Sequence, residues 1–195
     1  MSNGNIAIFA SCSGTNAENL ISYYRGNKSL EVKLIIAGKS TAGVIERAYK
    51  HKVDCEVVAG DPNTQKEYLL ELLKKYEIDF IILAGYIRKI PGWLINNYSR
   101  RIINLHPALL PLYGGKGMYG LNVHRAVLQN KERFSGISIH VVNEEYDKGK
   151  IIARFTRKIV GITDPEELQK AIHQLEYEYL PKVSQEYFQS MMNET

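Results

Sequence analysis

Residues 103–111 read INLHPALLP and lie where a predicted buried strand ends. Pro107 has no N–H to give to a sheet, so we expect this strand to end at His106. Since side chains alternate along a strand, Asn104 and His106 share one face at its carboxyl end. Ligands bind at the carboxyl ends of strands in open α/β sheets, and this pair is therefore a candidate for a binding site.

An amide beside an imidazole suits a substrate that contains a carbonyl group. Asn104 can donate from its amide nitrogen, and a protonated His106 can donate to an oxyanion that develops on the carbonyl oxygen. The spacing alone fits equally well a strand that merely ends in two polar residues. Other motifs in the sequence are needed to distinguish these two interpretations.

Apolar runs and helical patterns alternate through the first half of the chain. The runs typical of buried strands are residues 6–10, 32–37, 55–59, 80–84 and 102–106. The helical patterns between them are residues 17–25, 41–50, 64–76 and a short segment that Pro91 opens. Strict alternation with continuous apolar runs predicts a parallel sheet with helices on both faces.

The pattern changes after Pro111. A glycine-rich loop at 114–120 precedes a helix at 123–129, and two strands follow at 134–142 and 151–159. The turn residues 147–150 between these strands predict an antiparallel pair.

A long helix starts near Asp164, with acidic residues in its first turn, and runs towards Met191 with a bend at Pro181. The predicted fold is a single Rossmann-like α/β domain over residues 1–195. It has a mainly parallel twisted sheet flanked by helices, an antiparallel C-terminal strand pair and a long C-terminal helix.

Composition excludes several classes of function. Of the 195 residues, 45% are apolar and 24% are charged, and the net charge of +4 is too small and dispersed to predict a nucleic-acid partner. No apolar run is long enough for a membrane span or a signal-peptide core. The two cysteines lack metal-ligand spacing. We therefore expect a cytoplasmic protein with reduced thiols, no membrane segment and no metal.

Residues 11–16, SCSGTN, join the first strand to the first helix, where backbone N–H groups can surround an anion. Gly14 permits close approach, and Ser13, Thr15 and Asn16 add side-chain donors. The loop has neither the lysine of a Walker A motif nor the three spaced glycines of a dinucleotide fingerprint. A plain strand-to-helix turn with a capping residue is the alternative, but the number of donors favours a monophosphate site.

Asp147 follows the sixth predicted strand and lies far from His106 in the sequence. Aspartate is common in turns because it bonds to its own backbone, and this is the structural interpretation. In the functional interpretation its carboxylate pairs with His106 and raises the pKa of the imidazole. His106 would then stay protonated near neutral pH.

Four motifs in the same order resemble the formyltransferase family, and in particular its glycinamide-ribonucleotide branch. They are 104–111 (NLHPALLP), 83–88 (LAGYIR), 147–149 (DKG) and the loop 11–16. The resemblance extends to about Pro181. It implies transfer of the formyl group of 10-formyltetrahydrofolate, as co-substrate, to the amine of 5-phosphoribosylglycinamide in de novo purine biosynthesis.

The resemblance also implies site residues. It places catalysis on Asn104, His106 and Asp147. It places the phosphate and the rest of the acceptor on Ser13, Gly14, Thr15, Asn16, His173 and Glu176. It places the folate on Ile87, Arg88, Lys89, Ile90 and Asn104.

In the implied reaction a neutral amine attacks the formyl carbon, and Asn104 and protonated His106 donate to the oxyanion. The amine proton then reaches the departing folate nitrogen through His106 or a water, without a covalent enzyme intermediate.

Two features depart from the family pattern. The glycine-rich loop is long, and we expect it to act as a mobile lid. Residues 65–66 are Gln and Lys where the family often has an arginine, so no folate contact is assigned there.

Other functions stay open at this level. An amino sugar nucleotide or initiator transfer RNA could be the acceptor, but those relatives carry an extra C-terminal domain for which 195 residues leave no room. A formyl-folate hydrolase would carry an N-terminal regulatory domain. A non-catalytic nucleotide-binding module is the alternative from another class. A homodimer formed through a sheet edge is a further expectation.

Overall fold

The structure is a computed structural model that describes residues 4–194. Its sheet has seven strands: β1 Gly4–Ala10, β2 Leu30–Ala37, β3 Asp54–Val57, β4 Phe80–Leu83, β5 Ile102–His106, β6 Phe134–Val141 and β7 Ile151–Lys158. Their spatial order is β3-β2-β1-β4-β5-β6-β7. Neighbours among the first five strands are parallel, and β6 pairs antiparallel with both β5 and β7.

Six α-helices cover the sheet: α1 Thr15–Tyr24, α2 Val44–His51, α3 Lys66–Lys75, α4 Gly92–Asn97, α5 Leu121–Gln129 and α6 Pro165–Asn193. A short 3-10 helix, Pro62–Gln65, precedes α3. Among residues 4–194, no helix combines the length and the apolar character that a membrane span requires.

The sheet separates two apolar cores. Alternate residues of β1 illustrate the division, since Ile6 and Ile8 face one core and Ala7 and Phe9 face the other. Helices α1, α2, α5 and α6 contribute to the first core, and α3 and α4 contribute to the second. Both faces of the central strands are therefore buried, as their continuous apolar runs predict.

Element boundaries follow the predictions closely where local chemistry sets them. β5 ends at His106, directly before Pro107, as expected. The carboxylate of Asp164 accepts from the N–H groups of Glu166 and Glu167 and begins α6 at the predicted place. β1 and β2 begin earlier than their apolar runs, because backbone pairing continues between Asn5 and Glu31 whatever their side chains.

Pro181 lies inside α6, which the structure describes as one helix from Pro165 to Asn193. A proline has no N–H, so the carbonyl of Tyr177, four residues earlier, loses its helical partner. Asn19 of α1 replaces that partner, since its Nδ2 donates to the Tyr177 carbonyl at 2.9 Å. The helix thus continues past its proline because a neighbouring helix satisfies the free carbonyl.

Phe188 provides a test of the first core. Its ring is fully buried and stacks on Phe80 with centroids 4.3 Å apart. We expect Phe188→Ala to lower the free energy of unfolding by about 3–5 kcal/mol, because the substitution removes buried area and leaves a cavity. Urea unfolding followed by circular dichroism measures this change. Tyr49→Ala, at a side chain that is 86% exposed, is the control and should change stability by less than about 0.5 kcal/mol; similar losses in both variants would contradict this assignment of the core.

Candidate active site

A cavity of about 520 Å³ lies at the carboxyl ends of β1, β4 and β5, where the loops after these strands meet. All the site residues predicted from the sequence line it: Ser13, Gly14, Thr15, Asn16, Ile87, Arg88, Lys89, Ile90, Asn104, His106, Asp147, His173 and Glu176. The structure thus brings these dispersed residues into one place.

His106 is buried at the end of β5 with both ring nitrogens near acceptors. Its Nε2 donates to the carbonyl oxygen of Tyr113 at 2.8 Å, and its Nδ1 lies 3.6 Å from Oδ2 of Asp147. Because a carbonyl oxygen can only accept, Nε2 carries the hydrogen in the neutral ring. Nδ1 is therefore the nitrogen that can gain or lose a proton, and it faces the carboxylate.

Asp147 connects three segments of the site. Its backbone adopts φ +56°, a left-handed conformation that aspartate tolerates in turns. Oδ2 accepts from the backbone N–H of Gly115 at 2.8 Å, and Oδ1 accepts from Nδ2 of Asn104 at 3.3 Å. The carboxylate therefore joins the β6–β7 turn to the glycine-rich loop and to β5.

The pKa of His106 corrects one expectation. Burial lowers the pKa of this imidazole, and although the Asp147 carboxylate and the Tyr113 carbonyl raise it, the net result lies below the ordinary value of 6.5. The prediction that Asp147 keeps His106 protonated near neutral pH is therefore wrong. The carboxylate acts in the expected direction, but the loss of hydration of a buried cation outweighs it.

Asp147 itself is favoured in its ionised form. Burial raises the pKa of its carboxyl group, but contacts with His140 and His106 and the bond from the Gly115 N–H together lower the pKa below 3.8. The site at neutral pH thus combines a carboxylate with a neutral imidazole.

Asn104 orients its amide towards two acceptors. Its Nδ2 lies 3.0 Å from Nε2 of His140 and 3.3 Å from Oδ1 of Asp147. Its amide nitrogen therefore points into the group formed by His106, Asp147 and His140. Sequence reasoning missed His140, because only the register of β5 against β6 places it opposite Asn104.

The loop 11–16 is held from outside by α2. Gly14 begins α1 with φ +76°, and a Cβ at this position would contact Val44. Arg47 donates from Nε to the Ser13 carbonyl at 2.8 Å and also pairs with Glu18. No side chain caps α1, so the alternative of a turn with a capping residue does not describe this loop.

Glu176 of α6 reaches the same loop. Its Oε2 accepts from Nδ2 of Asn16 at 2.7 Å and lies 3.7 Å from Nε2 of His173. Burial raises the pKa of this carboxyl group, against the opposing effects of His173 and Asn16. Oδ1 of Asn16 is buried without a hydrogen-bond partner among the described residues. These acceptors suit the hydroxyl groups of a polar ligand.

The sequence profile described as formyl transferase matches residues 4–184. The chain belongs to the formyl transferase family. Both the family predicted from the motifs and the fold class are therefore confirmed.

Named relatives support this placement. A chloroplastic phosphoribosylglycinamide formyltransferase of Arabidopsis thaliana is 37% identical over 194 residues, which cover 93% of this chain and 65% of that protein. The chain thus spans less than two thirds of that relative. A phosphoribosylglycinamide formyltransferase of Bacillus subtilis is 32% identical over 184 residues, with 91% of each chain covered. The crystal structure of a phosphoribosylglycinamide formyltransferase from Bacillus halodurans has a TM-score of 0.81 at 35% identity and covers 92% of this chain and 93% of that one.

Within this family member, the segment after β4 forms the other wall of the cavity. Ile87 and Lys89 are exposed there, Ile90 is buried, and Nη1 of Arg88 donates to the Val58 carbonyl at 2.9 Å. Gln65 instead donates to the carbonyl of Ala59 and does not line the cavity. The structure therefore supports leaving Gln65 without a ligand role.

The glycine-rich loop 114–120 also lines the cavity. Gly115, Gly117 and Gly120 have positive φ values, with no atom within 4 Å of an added Cβ, so the backbone conformation and not crowding requires glycine there. Tyr119 on this loop is half exposed. The Gly115 N–H of this loop donates to Asp147, and the Tyr113 carbonyl just before the loop accepts from His106.

His124 is a second histidine that sequence reasoning missed. It lines the cavity from α5, is 1% exposed, and its Nδ1 has no hydrogen-bond partner among the described residues. Burial, with smaller effects of His173 and His106, lowers the pKa of His124 to about 4. It is a neutral group at physiological pH, and no sequence motif distinguishes it from an ordinary helix residue.

The protonation of His106 leads to a prediction. We expect its imidazole to titrate below 6.5 in nuclear magnetic resonance spectra, and to titrate lower still in Asp147→Asn, because that substitution removes the charge that favours the imidazolium. His51 provides an internal control, because the charges that affect its pKa are those of Arg25, Lys50 and Arg47. Asp147→Asn should therefore leave the pKa of His51 unchanged. A midpoint above 6.5 for His106, or no change in Asp147→Asn, would contradict this account.

Proposed function

We propose that this protein transfers the formyl group of 10-formyltetrahydrofolate to the amine of 5-phosphoribosylglycinamide in purine biosynthesis, as a single formyltransferase domain over residues 1–195 in the cytoplasm. The observation that carries the proposal is that Asn104, His106 and Asp147 share one cavity with the loop 13–16. One end of the cavity suits a phosphate ester, and the other suits a carbonyl group that undergoes attack.

The acceptor binds with its phosphate at the N-terminus of α1. The first turn of a helix has backbone N–H groups without helical partners, and the helix dipole favours an anion there. The ribose hydroxyls then reach Glu176 and the free Oδ1 of Asn16, with His173 beside them. This orientation directs the glycinamide amine towards His106.

The folate enters along Ile87, Arg88, Lys89 and Ile90, which line the same cavity. The apolar side chains of this segment suit the flat ring system, and the exposed Lys89 suits the carboxylates of the folate tail. The formyl group then lies over Asn104, between the folate and the amine.

His106 supplies the proton chemistry. Nε2 is committed to the Tyr113 carbonyl, so the lone pair on Nδ1 takes a proton from the amine as the nitrogen attacks the formyl carbon. The resulting imidazolium faces the Asp147 carboxylate at 3.6 Å, which stabilises its charge. It donates to the oxyanion and then returns the proton to the departing folate nitrogen.

Asn104 assists at the oxyanion. One hydrogen of its amide is held by His140 at 3.0 Å, whereas the contact of the other with Asp147 is long, at 3.3 Å. A developing oxyanion beside the more weakly held hydrogen can take over its contact with Asp147 without rotation of the amide. A single donor of this kind contributes about 3–4 kcal/mol to transition-state stabilisation.

The first experiment measures deformylation of 10-formyltetrahydrofolate by absorbance, with and without 5-phosphoribosylglycinamide. We expect turnover that requires the ribonucleotide, because His106 lies between the two binding regions. Deformylation without the acceptor would indicate a hydrolase and contradict the proposal. The absence of any reaction would indicate another acceptor or a binding module and would also contradict it.

Substitution of His106 tests the mechanism. We expect His106→Ala to reduce kcat by at least about 100-fold, the lower range for loss of a general acid or base. Calorimetry should show that the acceptor still binds, since its phosphate contacts the loop 13–16. His51→Ala is the matched control at a histidine outside the cavity and should retain full activity. Equal kcat in His106→Ala and the wild type would exclude His106 from the mechanism.

The glycine-rich loop is proposed to act as a lid over the bound substrates. We expect trypsin to cut after Lys116 in the protein alone, and we expect 5-phosphoribosylglycinamide with a non-reactive folate to slow this cut. Cutting after the exposed Lys28 is the internal control, because that residue lies outside the cavity. Equal rates at Lys116 with and without ligands would exclude a lid.

A further inference from the structure

His140 lies on β6 directly opposite Asn104 of β5, so the two side chains project from the same face of the sheet. On its other side β6 pairs with β7, where Ile139 lies opposite Ala153 and His140 opposite Ile151, so the pairing skips Ile152. The imidazole is 2% exposed and meets the amide of Asn104 at 3.0 Å.

The hydrogen positions on His140 follow from its partners. Nδ1 lies 2.9 Å from the carbonyl oxygen of Val141, which can only accept, so Nδ1 carries a hydrogen. Nε2 of the neutral ring then has a lone pair, which accepts from Nδ2 of Asn104. The space on the Nδ1 side of the ring is closed, since a Cβ on Gly149 would collide with the Val141 carbonyl and approach Nδ1 of His140.

We propose that His140 is a positioning residue that selects one of the two orientations of the Asn104 amide. The oxygen and nitrogen ends of a carboxamide have nearly the same shape, so packing alone does not distinguish them. A lone pair on Nε2 of His140 accepts from the nitrogen end and repels the oxygen end. The selected orientation keeps one amide hydrogen on His140 and leaves the other facing Asp147 and the proposed site of the oxyanion.

Asp147 favours the same orientation, but it cannot maintain it through the reaction. Its Oδ1 lies 3.3 Å from Asn104, and its Oδ2 is occupied by the Gly115 N–H and lies near His106. This step rests on the proposed function. An oxyanion that develops beside the hydrogen facing Asp147 competes with Oδ1 for that hydrogen, while the bond of the other hydrogen to His140 keeps the amide in place.

The test compares two substitutions of His140. His140→Met fills the space without an acceptor in the right place, and we expect kcat to fall about 10- to 100-fold, as small misplacements of catalytic groups do. The KM for 5-phosphoribosylglycinamide should stay within about twofold, because the proposed acceptor contacts at the loop 13–16 and Glu176 do not involve His140. His140→Gln places Oε1 near the position of Nε2, and we expect it to recover most of the loss.

A double-mutant cycle separates positioning from a general structural effect. In an Asn104→Ala background, His140→Met should cause no further loss of kcat, because the amide that it positions is gone. Ser135→Ala, at a buried serine of the same strand that lies outside the cavity, is the control and should keep wild-type kcat. An equal fold loss from His140→Met in both backgrounds, or a His140→Gln protein that folds without recovering kcat, would overturn the proposal.

A spectroscopic measurement tests the same inference without activity. Nitrogen-15 spectra of the wild-type protein should show His140 with a protonated Nδ1 and an unprotonated Nε2. The reverse tautomer would overturn the proposal, and so would a ring protonated at both nitrogens, because Nε2 lies 3.5 Å from Oδ1 of Asp147 and would then donate to it. If the wild-type protein does not transfer formyl groups from 10-formyltetrahydrofolate to 5-phosphoribosylglycinamide, the proposed function fails, while the tautomer still decides whether His140 accepts from Asn104.

Discussion

The ionised carboxylate of Asp147 is the interaction on which the arrangement of the site depends. It accepts from Asn104 on β5 and from Gly115 on the glycine-rich loop, and it faces His106. Those contacts join the β6–β7 turn to β5 and to the glycine-rich loop. A neutral amide of the same shape has only one acceptor oxygen, so it could not accept from Asn104 and Gly115 through two separate oxygens.

Burial lowers the pKa of His106 and the charge of Asp147 raises it, and the effect of burial is the larger. This balance changes the chemistry that the site can perform. A permanently charged imidazole could donate to an oxyanion but could not accept the proton that the proposed mechanism takes from the amine. A neutral imidazole beside a carboxylate can do both in turn, because the carboxylate stabilises the cation only after the proton arrives.

The parts that sequence reasoning predicted correctly are those that local chemistry determines. Pro107 ends β5, Asp164 begins α6, and the apolar runs form strands in the expected order. The predicted site residues share one cavity because carboxyl ends of parallel strands meet at one edge of a sheet. The family resemblance added the positions on α6, where a lone His173 or Glu176 carries little information by itself.

The parts that sequence reasoning missed depend on long-range register and on burial. His140 becomes the partner of Asn104 only once β6 is aligned against β5, and a shift of one residue would turn it to the other face. Arg47 contacts Ser13 only because α2 packs beside the loop after β1. The direction of the His106 pKa shift depends on how much water the folded chain excludes, a quantity that no local pattern contains.

Helix α6 shows how one constraint connects stability and function in this fold. Pro181 deprives the Tyr177 carbonyl of its helical partner, and Asn19 of α1 supplies a new one. One turn away, Asn16 at the start of α1 bonds to Glu176 of the same α6 segment. The two bonds hold the start of α1, and therefore the loop 11–16, at a fixed distance from the carboxyl group that faces the cavity. The carbonyl that the proline leaves free thus binds Asn19 close to the proposed phosphate and hydroxyl contacts, and this bond helps to fix the positions of those contacts relative to each other.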